Sequence, residues 1–240
     1  MTETLLGGRV RHAQLASGHR TGIEPVLLAA SIPARPGERV LEGGTGSGAA
    51  LLCLAARIGA IEGVGIERDP TLAALARANI AANGFTGLSV LGADLQVARP
   101  EGMFDHAFAN PPWHHQAGTR SADAGREAAR RGAGGLFALW AARLAARLRH
   151  RGTLTLAIAA ATLPDALAAI AAAGCGSLTL LPLWPHAGRP ARLLLLRGIK
   201  GGRGPCVVLS GLVLHRPEGG YTEQAEAILR DGATLSFAAA

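Results

Sequence analysis

Lysine is nearly absent from this 240-residue chain: of its 24 basic residues only Lys200 is lysine, and the other 23 are arginine. Arginine pairs bidentately with phosphate, so a net charge of +7 points to an anionic partner, nucleic acid first. An Ala/Gly/Arg-rich composition accounts for the same total with equal weight. Aromatics are scarce at 4% and charged residues low at 17%, yet 49% of the chain is apolar, which excludes a disordered chain. Cysteine is scarce too. Cys53, Cys175 and Cys206 are odd in number and far apart, which excludes a disulfide framework and a C-x-x-C metal or redox site. Reduced thiols, a cytoplasmic location and no metal are expected. Long hydrophobic runs are missing. MTETLLGGRV carries Glu3 and lacks a signal-peptide core, and the apolar stretch Thr153–Ala173 is broken by Pro164 and Asp165. That stretch reads as a buried strand and a helix, with no membrane span.

What is present is alternation. Ile23–Ile32 reads as a short helix, stopped by Pro33 and Pro36. From Glu38 the strand RVLEG is followed by a glycine-opened helix closing at Gly59. The strand GVGIE precedes a helix with Asp69 as N-cap, Pro70 in its first turn and Gly84 past its end. LSVLGAD and FDHAFA are the third and fourth strands. A polar stretch, His114–Gly135, leads to a helix predicted over Leu136–Arg149, with Phe137, Trp140, Leu144 and Leu148 at helical spacing. GTLTLAIA, a helix over Leu163–Ala173, SLTLLPLW and ARLLLLRG follow. After the linker GIKGGRGP come one strand, CVVLSGLVLH, and a helix from about Thr222. Such a pattern predicts an α/β fold with a mostly parallel, seven-stranded sheet and helices on both faces. Ligands in such sheets bind beyond the carboxyl ends of the strands.

The motifs fall at those ends. Glu42-Gly43-Gly44-Thr45-Gly46-Ser47-Gly48 leaves backbone exposed to a ligand and opens a helix with free N–H groups. Gly44, Gly46 and Ala49 also satisfy G-x-G-x-x-G/A, so spacing alone does not separate a nicotinamide cofactor from S-adenosylmethionine. Glu67 ends the second strand, where a carboxylate accepts from both hydroxyls of a ribose. Asp94 and Leu95 follow the third, where a carboxylate either accepts from an adenine amino group or caps a turn.

Asn110-Pro111-Pro112-Trp113 closes the fourth strand. A planar NH2 group is a poor nucleophile because its lone pair is delocalised. The Asn110 side-chain oxygen and the Pro111 carbonyl can each accept one N–H, which favours pyramidalisation. The prolines fix φ and add no competing donor. Trp113 offers a face for a base, worth about 1–3 kcal/mol. Orientation then does most of the catalysis.

On these residues the chain resembles the class I S-adenosylmethionine-dependent methyltransferases, and within them the amino-methylating group with an N-P-P-aromatic motif. GHRTGIEPVLLAA, REAARRG and GLVLHRPEGGYTEQAEAILR extend the resemblance to the bacterial tRNA1(Val) (adenine37-N6)-methyltransferase group. The resemblance implies a Rossmann-like core over 38–200, an N-terminal segment 1–37 covering the cofactor site, and a C-terminal extension 201–240. It implies S-adenosyl-L-methionine as cofactor, held by Glu42, Gly44, Gly46, Gly48, Glu67, Asp94, Leu95 and Asn110. Arg20 and Thr21 match the region that closes over it. The catalytic set would be Asn110, Pro111, Pro112 and Trp113. Two departures stand out. Glu42-Gly43-Gly44 replaces the usual Asp-Leu-Gly, and Trp113 stands where Tyr or Phe is usual.

Arginines crowd the stretch after the motif. Arg120, Arg126, Arg130 and Arg131 are expected to contact RNA, tRNA in particular. Adjacent His114 and His115 suit loop or base contact rather than a shared metal. Phe137 and Trp140 are expected in the core; Trp184 ends a strand before Pro185, where core packing is favoured over lining the cleft. Competing readings are methylation of a protein glutamine amide, of rRNA or of DNA, a nicotinamide oxidoreductase, and a non-catalytic RNA-binding relative.

Overall fold

The chain opens on an antiparallel hairpin, β1 (Thr2–Leu5) and β2 (Val10–Ala13), turned through Leu6–Gly8. The computed structural model describes residues 2–15, 21–111 and 124–237, with residue 2 and residues 124–134 as backbone only. The hairpin has too few alternating positions to stand out in sequence. It is held instead by two asparagines one turn apart on a later helix. Asn79 and Asn83 each accept from a β2 amide and donate back to the carbonyl of the same residue, Ala13 and Arg11 respectively. Each amide side chain thus replaces a missing strand neighbour for the backbone.

Helix α1 (Glu24–Ser31) starts with Pro25 in its first turn and ends before Pro33. The βα alternation then follows the residue patterns closely: β3 (Arg39–Gly43), α2 (Ala49–Ile58), β4 (Glu62–Glu67), α3 (Pro70–Ala82), β5 (Leu88–Gly92) and β6 (Phe104–Ala109). Asp69 caps α3 by accepting from the amides of Thr71 and Leu72.

The next helix differs from expectation at both ends. Helix α4 runs Ala124–Ala145, and strand β7 (Leu148–Ala159) takes the residues expected to finish the helix. Ala, Arg and Glu are strong helix formers and carry the helix back through a stretch that reads as polar loop. Leu148 keeps helical spacing from Leu144 but is a strand residue paired with Phe104. Helix α5 (Leu163–Ala172), β8 (Cys175–Trp184) and β9 (Leu193–Lys200) complete the core. The expected single strand CVVLSGLVLH is two short ones, β10 (Val207–Val208) and β11 (Leu212–Val213). Gly211 separates them at φ +84°, its backbone so close to the Pro182 carbonyl that a β-carbon would lie 2.3 Å from the oxygen. Helix α6 (Glu223–Asp231) is capped by the Thr222 hydroxyl.

The sheet order is β5-β4-β3-β6-β7-β9-β8, with β10 and β11 added along β8, so the seven expected strands become nine. All pairs are parallel except those made by β9. Both faces are covered. Val40, Phe108, Ala157 and Leu195 pack under α1–α3, while Leu41, Ala107, Ala109, Leu156 and Leu196 pack under α4 and α5. Successive strand residues alternate between these clusters, which is why the strands read as continuous apolar runs. The order reverses between β4 and β6, on either side of β3, so a crevice opens at the carboxyl end of β3.

Candidate cofactor and acceptor site

A cavity of about 590 Å³ occupies that crevice. It brings together Gly44, Glu67, Asp94, Leu95, Asn110 and Pro111, six residues singled out from sequence. Thr21, Glu42, Gly46 and Gly48 are not on its wall. Arg20, Pro112, Trp113 and Arg120 lie outside the described residues, as do His114 and His115. Arg126, Arg130 and Arg131 lie on α4, whose backbone is described there.

Glu67 is the anchor of the site. The residue is 8% exposed. One oxygen accepts the Gly46 amide at 2.9 Å and the other the Asp69 amide at 2.8 Å. The carboxylate is therefore held by backbone on both sides, with lone pairs left for ligand hydroxyls. The turn above it needs glycine: Gly44, Gly46 and Gly48 all have positive φ. Thr45 hydrogen-bonds back to the end of β4 through its amide and the Ile66 carbonyl, at 3.0 Å.

Glu42 lies beneath the glycine turn. It is 4% exposed and faces inward, accepting from the Thr45 hydroxyl at 2.5 Å. Burial pushes its carboxyl up to about 8, and the nearby Glu67 charge adds to this, while bonds from Thr45 and the Leu51 amide oppose it. Glu42 acts beneath the turn, not in the cavity. Asp94 closes a turn at the cavity wall. Its Oδ1 accepts the Gln96 amide at 2.8 Å, closing a turn, while the residue lines the cavity.

Three further contributions were not apparent from sequence. Glu24, in the first turn of α1, lines the cavity. Its signal is the acid two residues after Gly22, where a β-carbon would lie 2.2 Å from the Glu24 carboxylate. Leu136 and Leu139 wall the opposite side from α4. Trp140 does so too: Phe137 is core, as expected, but Trp140 is half-buried and covers Gly44. A second buried contact supports the glycine turn from outside, where His12 of β2 meets Ser47 at 2.8 Å.

The wall suits a cationic nucleoside. Glu24, Glu67, Asp69 and Asp94 line it together with one arginine, Arg68, and with apolar Ile66, Leu72, Leu95, Leu136, Leu139 and Trp140. Carboxylates at the ends of β4 and β5 offer acceptors for ribose and adenine donors, and a flat ring covers the glycine backbone. Among the described residues no group of three or more His, Cys, Asp or Glu is placed to hold a metal ion. No helix among them is long and apolar enough to cross a membrane.

The family model of the methyltransferase small domain matches residues 16–133, which run from the end of the hairpin region into α4. The chain carries the class I methyltransferase fold. A predicted O-methyltransferase from Agrobacterium tumefaciens superposes with a TM-score of 0.73 at 24% identity, over 88% of this chain and 97% of that one. TrmN from Thermus thermophilus superposes at 0.53 and 24% identity, over 74% of this chain and 48% of that one. In sequence, protein-L-isoaspartate O-methyltransferase 2 of Marinobacter nauticus is 45% identical over 75 residues, 31% of this chain. The chain spans about a third, 33%, of the length of that curated relative. The cofactor of this methyltransferase fold is S-adenosylmethionine, and the donor set of the cavity fits it.

Proposed function

We propose that the chain transfers a methyl group to an exocyclic amino nitrogen, adenine N6 in tRNA, and that the expected site residues act as that chemistry requires. The observation that carries this reading is the placement of Asn110 and Pro111. They leave the end of β6 and face the same cavity as Glu67 and Asp94. Bound S-adenosylmethionine supplies an electrophilic methyl group on sulfur. Glu67 holds the ribose hydroxyls, and Asp94 holds the adenine amino group through the oxygen it does not spend on Gln96. Asn110 and the Pro111 carbonyl accept the two N–H bonds of the acceptor, aiming its lone pair. With the cofactor bound, the lone pair so aimed would take the methyl group from its sulfonium sulfur, and the surplus proton would leave the nitrogen to water. Trp113 stacks on the target base.

An oxygen acceptor fits this arrangement less well. The names of the Marinobacter and Agrobacterium proteins both give an oxygen acceptor; a carboxylate has no hydrogens for two adjacent acceptors and a hydroxyl has one. An amino group has two. The arginines of α4, Arg126, Arg130 and Arg131, together with Arg120, follow the motif directly and supply charge for RNA phosphates.

Transfer of radiolabelled methyl groups to tRNA lacking its modifications tests the reading. Incorporation is expected, with Asn110→Ala lowering kcat at least about 100-fold, the scale of a lost positioning group. No incorporation into tRNA, with label appearing on a protein amide or carboxylate, would overturn it.

A further inference from the structure

The carboxyl rim of the sheet carries a second group of aromatic and basic residues, away from the cavity. Its position follows from register. β8 runs parallel to β7 and β6, so Trp184 ends its strand on the rim where Asn110 follows β6. β9 is antiparallel and starts at that rim. Leu183 lies opposite Leu193, which places Trp184 level with Arg192. Leu193 in turn lies opposite Ala159, at the end of β7. With strands about 4.8 Å apart, Arg192 lies two strands, about 10 Å, to the side of Asn110, and Trp184 three strands, about 14 Å; both are level with residue 160, three positions or about 10 Å further along the strands than Ala157, the level of Asn110, which puts Trp184 about 17 Å from Asn110.

Trp184 is not the core residue expected from sequence. It is half-buried and, with Arg189, lines an open cavity of about 520 Å³ between the β8–β9 loop and the segment leading to β11. Its indole N–H donates to the Ser210 carbonyl at 2.9 Å, so the ring's one polar atom is satisfied and its orientation fixed. Arg189 and Arg192 are exposed and have no carboxylate partner among the described residues. Beside them the rings of His186 and His215 lie 5.5 Å apart, and His215 stacks on Tyr221 at 4.8 Å.

Fixed flat rings interleaved with unpaired guanidinium groups suit single-stranded nucleic acid, whose bases all present a π face and whose backbone carries one charge per nucleotide. We propose that this rim surface docks a single-stranded segment of the RNA substrate, flanking the nucleotide held at Asn110. The inference rests on the RNA reading above. The separation of about 17 Å equals about five stacked nucleotides at about 3.4 Å each, so a loop with its target base turned into the cavity reaches Trp184 without bending back.

Fluorescence anisotropy with a dye-labelled single-stranded RNA and the full chain, with S-adenosylhomocysteine present, tests it independently of catalysis. The pair Arg189→Ala/Arg192→Ala is expected to weaken RNA binding at least about 10-fold at 0.1 M salt. It should also reduce the salt slope by about 1.4, two single-strand phosphates. Trp184→Ala is expected to weaken binding about 5-fold or more and Trp184→Phe to restore most of it. S-adenosylhomocysteine affinity should stay the same throughout, which separates docking from misfolding. RNA binding unchanged in these variants, no RNA binding by the wild type, or preference for an acidic peptide would overturn the proposal. The activity assay separates the two claims. Rim-dependent RNA binding with methyl transfer only to protein would overturn the RNA-methylation reading and leave the docking surface standing. RNA methylation with an unchanged KM in the arginine pair, together with unchanged RNA binding, would do the reverse.

Discussion

The indole of Trp140 closes over Gly44, its outermost ring carbon only 2.5 Å from where a β-carbon on residue 44 would sit. The first glycine of the cofactor turn is thus set by two independent demands: a φ of +64° and a ring from α4 against its backbone. Gly44→Ala meets both and is expected to weaken S-adenosylhomocysteine binding at least about 10-fold, with a loss of stability beyond the ~1 kcal/mol of the left-handed conformation alone. Adding Trp140→Ala should recover the steric part and not the conformational part. Calorimetric titration and thermal melts of the two single variants and the double variant separate them. Additive losses in the double variant would mean that ring and turn do not touch.

Glu67 makes a different kind of demand. Both its oxygens hold backbone amides, Gly46 and Asp69, while facing the cavity. Glu67→Gln keeps the shape but turns an NH2 group toward one of those amides, donor against donor. Losing a hydrogen bond to a charged group costs about 1.5–3 kcal/mol, roughly 10- to 150-fold in affinity. Cofactor binding should fall by that factor, and KM for the methyl acceptor at saturating cofactor should not move. A variant with wild-type cofactor affinity would show that the Glu67 charge is structural only.

The core was legible where local and global preferences agree. Asp69, Pro70 and Gly84 bound α3 in sequence because capping is a local event, and β3 and β6 match their apolar runs because both faces are buried. The failures share one cause, partners distant in sequence. Trp140 has the spacing of a core residue, and only the glycine turn, about a hundred residues earlier, makes it a cavity wall. The hairpin depends on Asn79 and Asn83, which read as ordinary helix residues.

Those asparagines give a stability prediction. Asn79 is 3% exposed; it accepts from the Ala13 amide and donates to the carbonyls of Ala13 and Ser47, joining the hairpin to the glycine turn. Asn79→Ala leaves those backbone groups short of partners and is expected to cost about 2–4 kcal/mol. Hydrogen exchange should show the Ala13 amide losing protection before the amides of β3–β6. Uniform loss of protection would mean that the hairpin and core open together.

Glu42 makes stability depend on pH with a sign opposite to that of a paired surface acid. Its carboxyl is raised to about 8 from an ordinary value of 4.5, mainly by burial. Between those values the folded chain retains a proton that the unfolded chain has released. The group therefore contributes fully to stability below about pH 4.5, progressively less up to about pH 8, and no further change above that. Glu42→Gln removes the titration and nearly preserves the shape. The wild type should lose Tm relative to the variant as pH rises from 5 to 8, with the variant the more stable at pH 8. Parallel melting curves across that range would show that Glu42 is ionised in the native state at neutral pH. Its charge would then be balanced inside the fold, and the short contact with Thr45 would be a bond from hydroxyl to carboxylate rather than to a neutral acid.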